Sequence, residues 1–200
     1  MMRIVLASKN QGKIREIQAM LEDLDIEIRS LNDYQEIPDI DEDGESFFEN
    51  ALKKATVVSE HTGETVLADD SGLEVEYLDG KPGVYSSRYS GADATDSSNI
   101  KKLLETLDGV SVEKRGASFR CILVLYHPDG KYHSFEGRLH GIIHDKPVGD
   151  GGFGYDPVFY LPEMGLTVAE LPPETKNRIS HRSRAIDKFI EAYKQEVFKE

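Results

Sequence analysis

The first 31 residues alternate between strand and helix patterns, and this alternation constrains the fold more than any other feature of the chain. Residues 3–7 form a short apolar run that predicts a buried strand. Apolar side chains then recur at helical spacing over residues 12–24, and residues 26–31 alternate like a second strand. This succession is a βαβ-like unit, and it predicts an α/β protein.

The rest of the pattern predicts a more antiparallel second half. Ser46 and Glu49 have capping-box spacing and predict a helix to about His61, and residues 65–68 predict a strand that ends at 69–72. Other segments predict strands at 73–78, 115–126, 131–139 and 158–160, a hairpin turn at 128–130, helices at 96–107 and 183–198, and loops at 39–45, 82–94 and 149–155. The simplest assembly is a mixed β-sheet flanked by helices, and 200 residues fit one domain or two closely joined lobes.

The formal net charge of −13 argues against two classes of partner. Nucleic acids and anionic membranes need dense Lys and Arg, so we expect neither as a partner. The longest clearly apolar run, residues 121–126, is far below the roughly 18–20 residues of a membrane span, and the first residues do not resemble a signal peptide. A cytoplasmic protein is therefore expected. The single cysteine, Cys121, lies in that run and is expected to be a buried thiol.

Residues 8–13, SKNQGK, connect the first strand to the first helix. A helix N-terminus suits an anion, Ser8 and Asn10 can donate hydrogen bonds, Gly12 permits close approach, and Lys13 adds a charge. The segment is not a Walker A sequence. An ordinary capped strand–helix turn explains it equally well, so the segment alone does not decide between the two interpretations.

Two acidic segments are candidates for metal chemistry. Asp69 and Asp70 follow an apolar strand, where carboxylates are costly to desolvate without compensation. Strand alternation indicates that only one of them faces the chemistry, and the other then braces the loop. A second acidic segment holds Asp39, Asp41, Glu42, Asp43 and Glu45. Mg²⁺ usually takes one or two protein carboxylates, so at most one or two of these five residues need be ligands.

Two later segments are suited to a base or a phosphate. Residues 149–157 combine four glycines with two aromatics and Asp156, so an aromatic ring can stack on a nucleobase and Asp156 can accept a base N–H. Residues 174–182 are locally basic, and Lys176, His181 and Arg182 are donors for a keto oxygen or a phosphate. The alternatives are a Gly-rich turn anchored by core aromatics and a solvated basic segment at the start of a helix.

Together these segments resemble the inosine triphosphate / xanthosine triphosphate pyrophosphatase family. The resemblance covers essentially the whole chain as one domain, residues 1–200, and keeps the order of the family's motifs. The motifs are SKNQGK (8–13), FENA (48–51) with KKA (53–55), ADDSGL (68–73), PGVYSSRY (82–89), GGFGYDP (151–157) and ISHR (179–182). Ser87 stands where the family often has alanine, at a position that carries no function.

The resemblance implies an elongated α/β fold with a central mixed sheet, two lobes and a substrate cleft between them. It also implies a homodimer, a Mg²⁺ requirement, and hydrolysis of noncanonical purine nucleoside triphosphates (ITP, dITP, XTP) to the monophosphate and pyrophosphate. Asp70 is then the general base and a metal-site carboxylate, and Glu42 is the second metal-site carboxylate. The implied triphosphate contacts are Ser8, Lys9, Asn10, Gln11, Gly12, Lys13, Lys53 and Ser71. The implied base and nucleotide contacts are Phe153, Gly154, Tyr155, Asp156, Lys176, His181 and Arg182.

Selectivity is expected to depend on the oxygen at purine position 6. Donors in residues 176–182 satisfy a keto oxygen and oppose the amino group of adenosine, and an unpaired buried donor costs about 1–3 kcal/mol. Two alternatives remain: a pyrophosphatase for other modified nucleotides, and a nucleotide-binding sensor without turnover. The combination of Asp70, Glu42 and Lys13 argues against the sensor, because a protein that only binds needs no base.

Overall fold

The computed structural model describes residues 2–34 and 37–198 of the chain. Its strands are β1 (Met2–Leu6), β2 (Ile26–Ser30), β3 (Val66–Val75), β4 (Gly116–Tyr126), β5 (Tyr132–Ile143), β6 (Phe159–Leu161) and β7 (Leu166–Thr167). Its α-helices are α1 (Gln11–Leu21), α2 (Phe47–Thr62), α3 (Asp96–Thr106), α4 (Pro173–Ile179) and α5 (His181–Lys194). The strands form one sheet in the order β2-β1-β3-β4-β5-β6-β7. β1 pairs in parallel with β2 and β3, whereas β6 pairs antiparallel with β5 and β7. The predicted α/β fold with a mixed sheet and flanking helices is confirmed.

The opening βαβ-like unit forms as the sequence predicted. β1 and β2 pair in parallel from Met2 opposite Ile26 to Leu6 opposite Ser30. The helix between them begins after Asn10, whose side chain accepts hydrogen bonds from the next turn, and it buries Ile17 and Leu21. Helix α1 ends at Leu21, so the predicted end at residue 24 was three residues too late.

Helix α2 begins at the predicted cap but uses a modified capping box. The Ser46 side chain accepts a hydrogen bond from the Glu49 backbone N–H at 3.2 Å. The Glu49 carboxylate accepts from the backbone N–H of Glu45 at 2.8 Å, one residue before the expected donor. The helix ends one residue beyond the predicted end, where Gly63 has the left-handed conformation that closes many helices.

The segment from residue 65 to 78 differs from the prediction. Two strands separated by a turn at 69–72 were expected, but the structure has one continuous strand, β3. β3 lies in the interior of the sheet, between β1 and β4. Asp69 and Asp70 are therefore strand residues, and they tolerate this position because side chains from distant helices compensate their charges.

The remaining differences concern element ends and short elements. β5 extends to Ile143 instead of 139, β7 and α4 were not predicted, and α5 spans His181–Lys194 instead of 183–198. A short 3₁₀ segment, Gly83–Arg88, lies in the predicted 82–94 loop. The predicted turn at 128–130 is confirmed by a hydrogen bond from the His127 N–H to the Lys131 oxygen, and residues 149–155 form an irregular loop as expected.

The chain divides into two compact units, each with its own apolar core. Unit 1 comprises Met1–Ser71, Cys121–Gly137 and His181–Glu200, and unit 2 comprises Gly72–Arg120 and Arg138–Ser180. The core of unit 1 is formed by Ile4, Leu6, Ile17, Leu21, Leu67, Cys121, Leu123, Leu125, Ala185, Ile186 and Phe189. The core of unit 2 includes Leu73, Val75, Leu103, Leu107, Ile143, Val158 and Phe159. Strands β3, β4 and β5 each contribute residues to both units.

Cys121 is fully buried in the first core, as expected for a thiol that acts as a small apolar side chain. Burial raises the pKa of Cys121 to about 12, which keeps the thiol protonated at neutral pH. Within residues 2–34 and 37–198, no helix is long and apolar enough to cross a membrane.

Gly137, at the end of unit 1 in β5, allows a close approach between this strand and helix α5. A Cβ atom at this position would lie 2.0 Å from the His181 carbonyl oxygen and 2.6 Å from the Ala185 nitrogen. Both neighbours are backbone atoms, so they cannot move aside as the end of a flexible side chain does. The missing side chain at Gly137 therefore fixes where α5 begins relative to the sheet.

We expect Gly137→Ala to lower the free energy of unfolding by about 3 kcal/mol, because the added methyl group overpacks a backbone contact. The matched control is Gly63→Ala, where a Cβ would meet no atom within 4 Å and only the positive φ of +70° opposes the change. This control should cost about 1–2 kcal/mol, the cost of a left-handed conformation for a residue with a Cβ atom. Urea unfolding of both variants provides the comparison, and equal losses would contradict the proposed backbone clash.

Candidate functional site

Two neighbouring carboxylates of β3 lie in different environments of unit 1. Asp69 Oδ2 lies 2.9 Å from the ammonium nitrogen of Lys13 on α1 and 3.4 Å from an Arg182 nitrogen on α5. Asp70 accepts a hydrogen bond from the Asn50 amide at 3.1 Å, and its other oxygen is 3.5 Å from the Lys54 ammonium; both partners are on α2. Adjacent strand residues point to opposite faces of the sheet, so Asp69 contacts α1 and α5 whereas Asp70 contacts α2.

Asp69 is fully buried and forms ion pairs with Lys13 and Arg182, an arrangement that we call the ionic brace. Burial alone would raise the pKa of this carboxyl, but Lys13, Arg182 and Lys54 together hold it well below its usual range. The Arg182 guanidinium is also buried, and it donates to the Glu16 carboxylate and to Ser71 Oγ at 3.0 Å. These contacts join α1, β3 and α5 through charges that compensate each other.

Asp70 has the opposite electrostatic balance. Burial raises the pKa of its carboxyl above the ordinary value and outweighs the attraction of Lys54 and Lys13. Only 6% of the residue is exposed. A carboxylate with a raised pKa is a stronger proton acceptor than a solvated one, and this is the property that a general base requires.

Lys54 connects Asp70 to the acidic loop. Its ammonium donates to Glu42 Oε1 at 2.6 Å and to the backbone oxygen of Asp69 at 2.7 Å. Burial would lower the pKa of Lys54, but Asp70, Asp69 and Glu42 raise it, so the ammonium stays charged. Glu42 is thereby placed beside Asp70, whereas the other four acidic residues of the 39–45 loop are not linked to it by this ammonium.

Asn50 makes a second link between Asp70 and the acidic loop. Its amide nitrogen donates to Asp70, and its amide oxygen accepts from the Gly44 backbone N–H at 2.8 Å. Neither Asn50 nor Lys54 was among the predicted site residues. They are four residues apart and therefore lie on one face of α2, among the buried positions Phe47, Ala51, Ala55 and Val58. Polar side chains at that spacing on an apolar face were the available signal.

The donor set around Lys54 fits one hard cation bound together with ligand oxygens. Glu42 and Asp70 both contact the same ammonium, so two carboxylates surround one cationic position. Two carboxylates are the number that Mg²⁺ commonly takes from a protein, with phosphates and water completing its shell. Over residues 2–34 and 37–198, no three His, Cys, Asp or Glu side chains converge as a metal-binding cluster. Glu42 and Asp70 are therefore the two carboxylates of this cluster that could hold a divalent cation together with ligand oxygens.

The SKNQGK segment forms a capped turn. Asn10 Oδ1 accepts from the N–H groups of Gly12 at 2.9 Å and Lys13 at 3.1 Å, and Ser8 Oγ accepts from the Asn10 N–H at 3.2 Å. Two N–H groups at the start of α1 are thus already used by a side chain. Lys9 pairs with Asp39 on the surface, and Lys13 is the member that reaches the Asp69 carboxylate of β3.

Lys53 and Lys54 point to different partners although they are adjacent in α2. The Lys53 ammonium lies 2.5 Å from Asp43, and 40% of the Lys53 side chain is exposed. The Lys54 side chain is only 12% exposed. Successive helix positions are rotated by about 100°, which explains why one lysine faces solvent and the next faces Asp70.

A second cluster lies in unit 2 around Phe153. The Lys176 ammonium is 2.6 Å from Asp156 Oδ2 and 4.3 Å from the centre of the Phe153 ring. The same Asp156 oxygen accepts from the Phe153 backbone N–H at 2.9 Å. Gly152 has φ of +74°, and a Cβ there would lie 2.1 Å from that oxygen, so the loop requires glycine at this position.

Tyr155 anchors the same loop from inside the core of unit 2. Its hydroxyl donates to the Ser86 carbonyl oxygen at 2.8 Å, and burial raises the pKa of the phenol. The aromatic residues of this loop therefore have separate environments: Tyr155 is buried, whereas Phe153 is partly exposed beneath the Lys176 ammonium.

The predicted site residues fall into two groups. In unit 1, Glu42 and Asp70 both contact Lys54, and Lys13 and Arg182 both contact Asp69, while Arg182 also donates to Ser71. Unit 2 brings the 153–156 loop together with Lys176. The basic segment 174–182 is divided: Lys176 belongs to unit 2, and His181 and Arg182 belong to unit 1. His181 is buried at the start of α5.

We expect the substitutions Asp69→Asn and Asp70→Asn to have opposite consequences for stability. Asp69→Asn leaves Arg182 and Lys13 without their shared carboxylate and should cost about 3–5 kcal/mol at neutral pH. Asp70→Asn should leave the free energy of unfolding equal or higher, because a group with a raised folded-state pKa destabilises the fold when it ionises.

The pH dependence of the Asp69 variant follows from the lowered pKa of Asp69. Its ionised form stabilises the fold above the ordinary value of 3.8, and this contribution disappears as the pH falls. The stability difference between the wild type and Asp69→Asn should therefore shrink below about pH 4. Urea unfolding across pH measures it, and a difference that grows in acid would contradict the assignment.

Comparison with known proteins identifies the family. The model of the Ham1 family matches residues 4–192. The chain is 55% identical to a dITP/XTP pyrophosphatase of Geobacter sulfurreducens, with 93% of this chain and 94% of the relative covered. It is 49% identical to a dITP/XTP pyrophosphatase of Geobacillus kaustophilus, with 98% and 97% covered.

Solved structures give the same result. A HAM1 protein from Coxiella burnetii superposes with a TM-score of 0.91 at 42% identity, covering 98% of this chain and all of the other. The Staphylococcus aureus Ham1 protein gives a TM-score of 0.85 at 40% identity, covering 96% and 99%. With its motifs, its fold and its sequence all matching over nearly their full lengths, the chain belongs to the Ham1 family.

Proposed function

We propose that this chain hydrolyses noncanonical purine nucleoside triphosphates (dITP, ITP and XTP) to the monophosphate and pyrophosphate. The dITP/XTP pyrophosphatases of Geobacter sulfurreducens and Geobacillus kaustophilus support this proposal. The observation that carries it is the placement of Asp70, a buried carboxylate that Asn50 holds beside the Lys54 ammonium. A binding protein without turnover needs no base of this kind.

In the proposed reaction, Asp70 accepts a proton from a water molecule. The water oxygen attacks the α-phosphorus, and the bond from that phosphorus to the α–β bridging oxygen breaks. Pyrophosphate leaves with the electron pair of that bond, and the nucleoside monophosphate keeps the new oxygen. The ammonium groups of Lys13 and Lys54 offset the charge that develops on the phosphate oxygens, so positioning and electrostatics supply most of the rate.

We propose Mg²⁺ as the cofactor because the charged side chains around Asp69 and Asp70 carry no excess positive charge that could neutralise a triphosphate. Its carboxylates Glu16, Glu42, Asp69 and Asp70 face Lys13, Lys54 and Arg182, so four negative charges meet three positive ones. A triphosphate adds several more negative charges. Glu42 and Asp70 would hold the ion, which when bound supplies a Lewis acid that neutralises phosphate oxygens.

The unit 2 cluster is proposed to recognise the base. The Lys176 ammonium is held in place by Asp156 and by the face of Phe153, so it is a fixed donor for the 6-oxo group of hypoxanthine or xanthine. The amino group of adenine is itself a donor and leaves the ammonium unsatisfied, at a cost of about 1–3 kcal/mol. Phe153 provides an aromatic face for stacking. His181 and Arg182 remain predicted nucleotide contacts.

The homodimer and the cytoplasmic location are also proposals, and they are supported by the family resemblance. Light scattering tests the first, since a homodimer has twice the mass of the chain. Cell fractionation tests the second.

We expect pyrophosphate release from inosine and xanthosine triphosphates with kcat/KM at least about tenfold above the value for adenosine triphosphate. Chelation of the metal should abolish release, and added Mg²⁺ should restore it. Asp70→Asn should lose turnover by a factor of about 10³ or more, because the base is lost. Asp41→Asn, an exposed residue of the acidic loop, is the control that should retain activity.

Each alternative function has its own outcome in this assay. Equal kcat/KM values for inosine and adenosine triphosphates would contradict the selectivity. Faster hydrolysis of a modified pyrimidine triphosphate would favour the broader pyrophosphatase. Tight binding of inosine triphosphate without pyrophosphate release from the wild type would indicate a sensor.

The variants Lys53→Met and Lys54→Met distinguish the contributions of these two adjacent lysines of α2 to kcat. Lys54→Met should lower kcat by about 10²-fold or more, because the lost ammonium contacts Glu42 and Asp70. Lys53→Met should lower kcat less than tenfold, because that ammonium pairs with Asp43 near the surface. Steady-state kinetics with inosine triphosphate measures both, and the reverse order would return the triphosphate role to Lys53.

A further inference from the structure

The backbone of the loop that carries Phe153 is held by two carboxylates. The Phe153 N–H donates to Asp156, which belongs to the loop itself. The next N–H, that of Gly154, donates to Asp96 Oδ2 at 2.7 Å. Asp96 is 58 residues away in the chain and is the first residue of helix α3. Two consecutive peptide N–H groups, one on either side of the Phe153 side chain, are thus fixed by acceptors from different elements.

Helix α3 supports this loop at a second point, through Asn99. The Asn99 amide oxygen accepts from the Ser90 N–H at 2.7 Å, and its amide nitrogen donates to the carbonyl oxygens of Ser86 at 3.3 Å and Ser87 at 3.1 Å. The Ser86 carbonyl oxygen also accepts the Tyr155 hydroxyl. Asn99 therefore fixes the segment on which Tyr155 is anchored.

These two contacts share a geometric origin. Asp96 and Asn99 are three residues apart in α3, so they lie on the same face of the helix. Asp96 acts directly on the loop, and Asn99 acts through Ser86 and Tyr155. Gly154 has φ of +62°, a conformation in which its N–H is aimed at an acceptor outside the loop. The position of Phe153 therefore depends on a helix that contributes no side chain to the Phe153–Asp156–Lys176 cluster.

We propose that Asp96 is a positioning residue for base recognition, acting through the Gly154 N–H to hold Phe153 beneath the Lys176 ammonium. This inference rests on the proposed function, in which Phe153 and Lys176 contact the base. Stacking on Phe153 is the same in the bound substrate and in the transition state, because the base is remote from the reacting phosphorus. Loss of Asp96 should therefore raise KM and leave kcat nearly unchanged.

The test compares Asp96→Ala with Asp96→Asn, which keeps an acceptor oxygen at the same position. Asp96→Ala should raise KM for inosine triphosphate about five- to tenfold, with kcat within about twofold of the wild type. Asp96→Asn should restore most of the loss. Asp93→Ala removes an exposed carboxylate three residues earlier and is the matched control, which should behave like the wild type.

A ligand without a base separates positioning from a general structural role. The inhibition constant of inorganic tripolyphosphate should be the same in the wild type and in Asp96→Ala. An unchanged KM in Asp96→Ala, failure of Asp96→Asn to restore it, or an equal loss of tripolyphosphate affinity would each overturn the inference.

The proposed function is tested separately by pyrophosphate release from the wild type. Calorimetric titration of inosine triphosphate in the Asp70→Asn background compares affinities without turnover. It therefore decides the role of Asp96 even if the wild type releases no pyrophosphate, and in that case only the proposed function fails.

Discussion

The ionic brace around Asp69 is the interaction on which the rest of unit 1 depends. A carboxylate in the middle of a central strand is tolerable only when cations accompany it, and here Lys13 and Arg182 arrive from two different helices. The same contacts fix α1 and α5 against β3 and leave the next residue, Asp70, to face α2. A structural carboxylate and a candidate general base thus occur side by side, distinguished only by the charges around them.

The sequence was sufficient where local pattern and final structure agree. The opening strands, the Ser46 cap and the helix predicted at 96–107, which ends at Thr106, follow from periodicity and capping alone. The prediction failed at residues 69–72, where Asp-Asp-Ser-Gly has the composition of a turn. Such residues can continue a strand only if the aspartate charge is compensated, here by residues 13 and 182, which are far away in the chain. No local pattern contains that information.

The candidate site shows the same division. Motif order identified Asp70, Lys13 and Phe153 as site candidates, but the helix face that faces Asp70 depends on where α2 begins. Lys53 was the predicted triphosphate contact, but the adjacent residue, Lys54, is the one that reaches Asp70, and Asn50 was missed with it. The basic segment near residue 180 looked continuous, yet Lys176 lies on the short helix α4, whereas His181 and Arg182 begin the separate helix α5.

Because β3 is one continuous strand, its length affects the chemistry of the site as well as the fold. Identical aspartates acquire different acidities because one occupies an odd and the other an even position along the same extended backbone. A one-residue insertion or deletion upstream in the strand would exchange their surroundings without altering any side chain. The number of residues in β3 ahead of Asp69 is therefore constrained by the chemistry of both carboxylates as well as by packing.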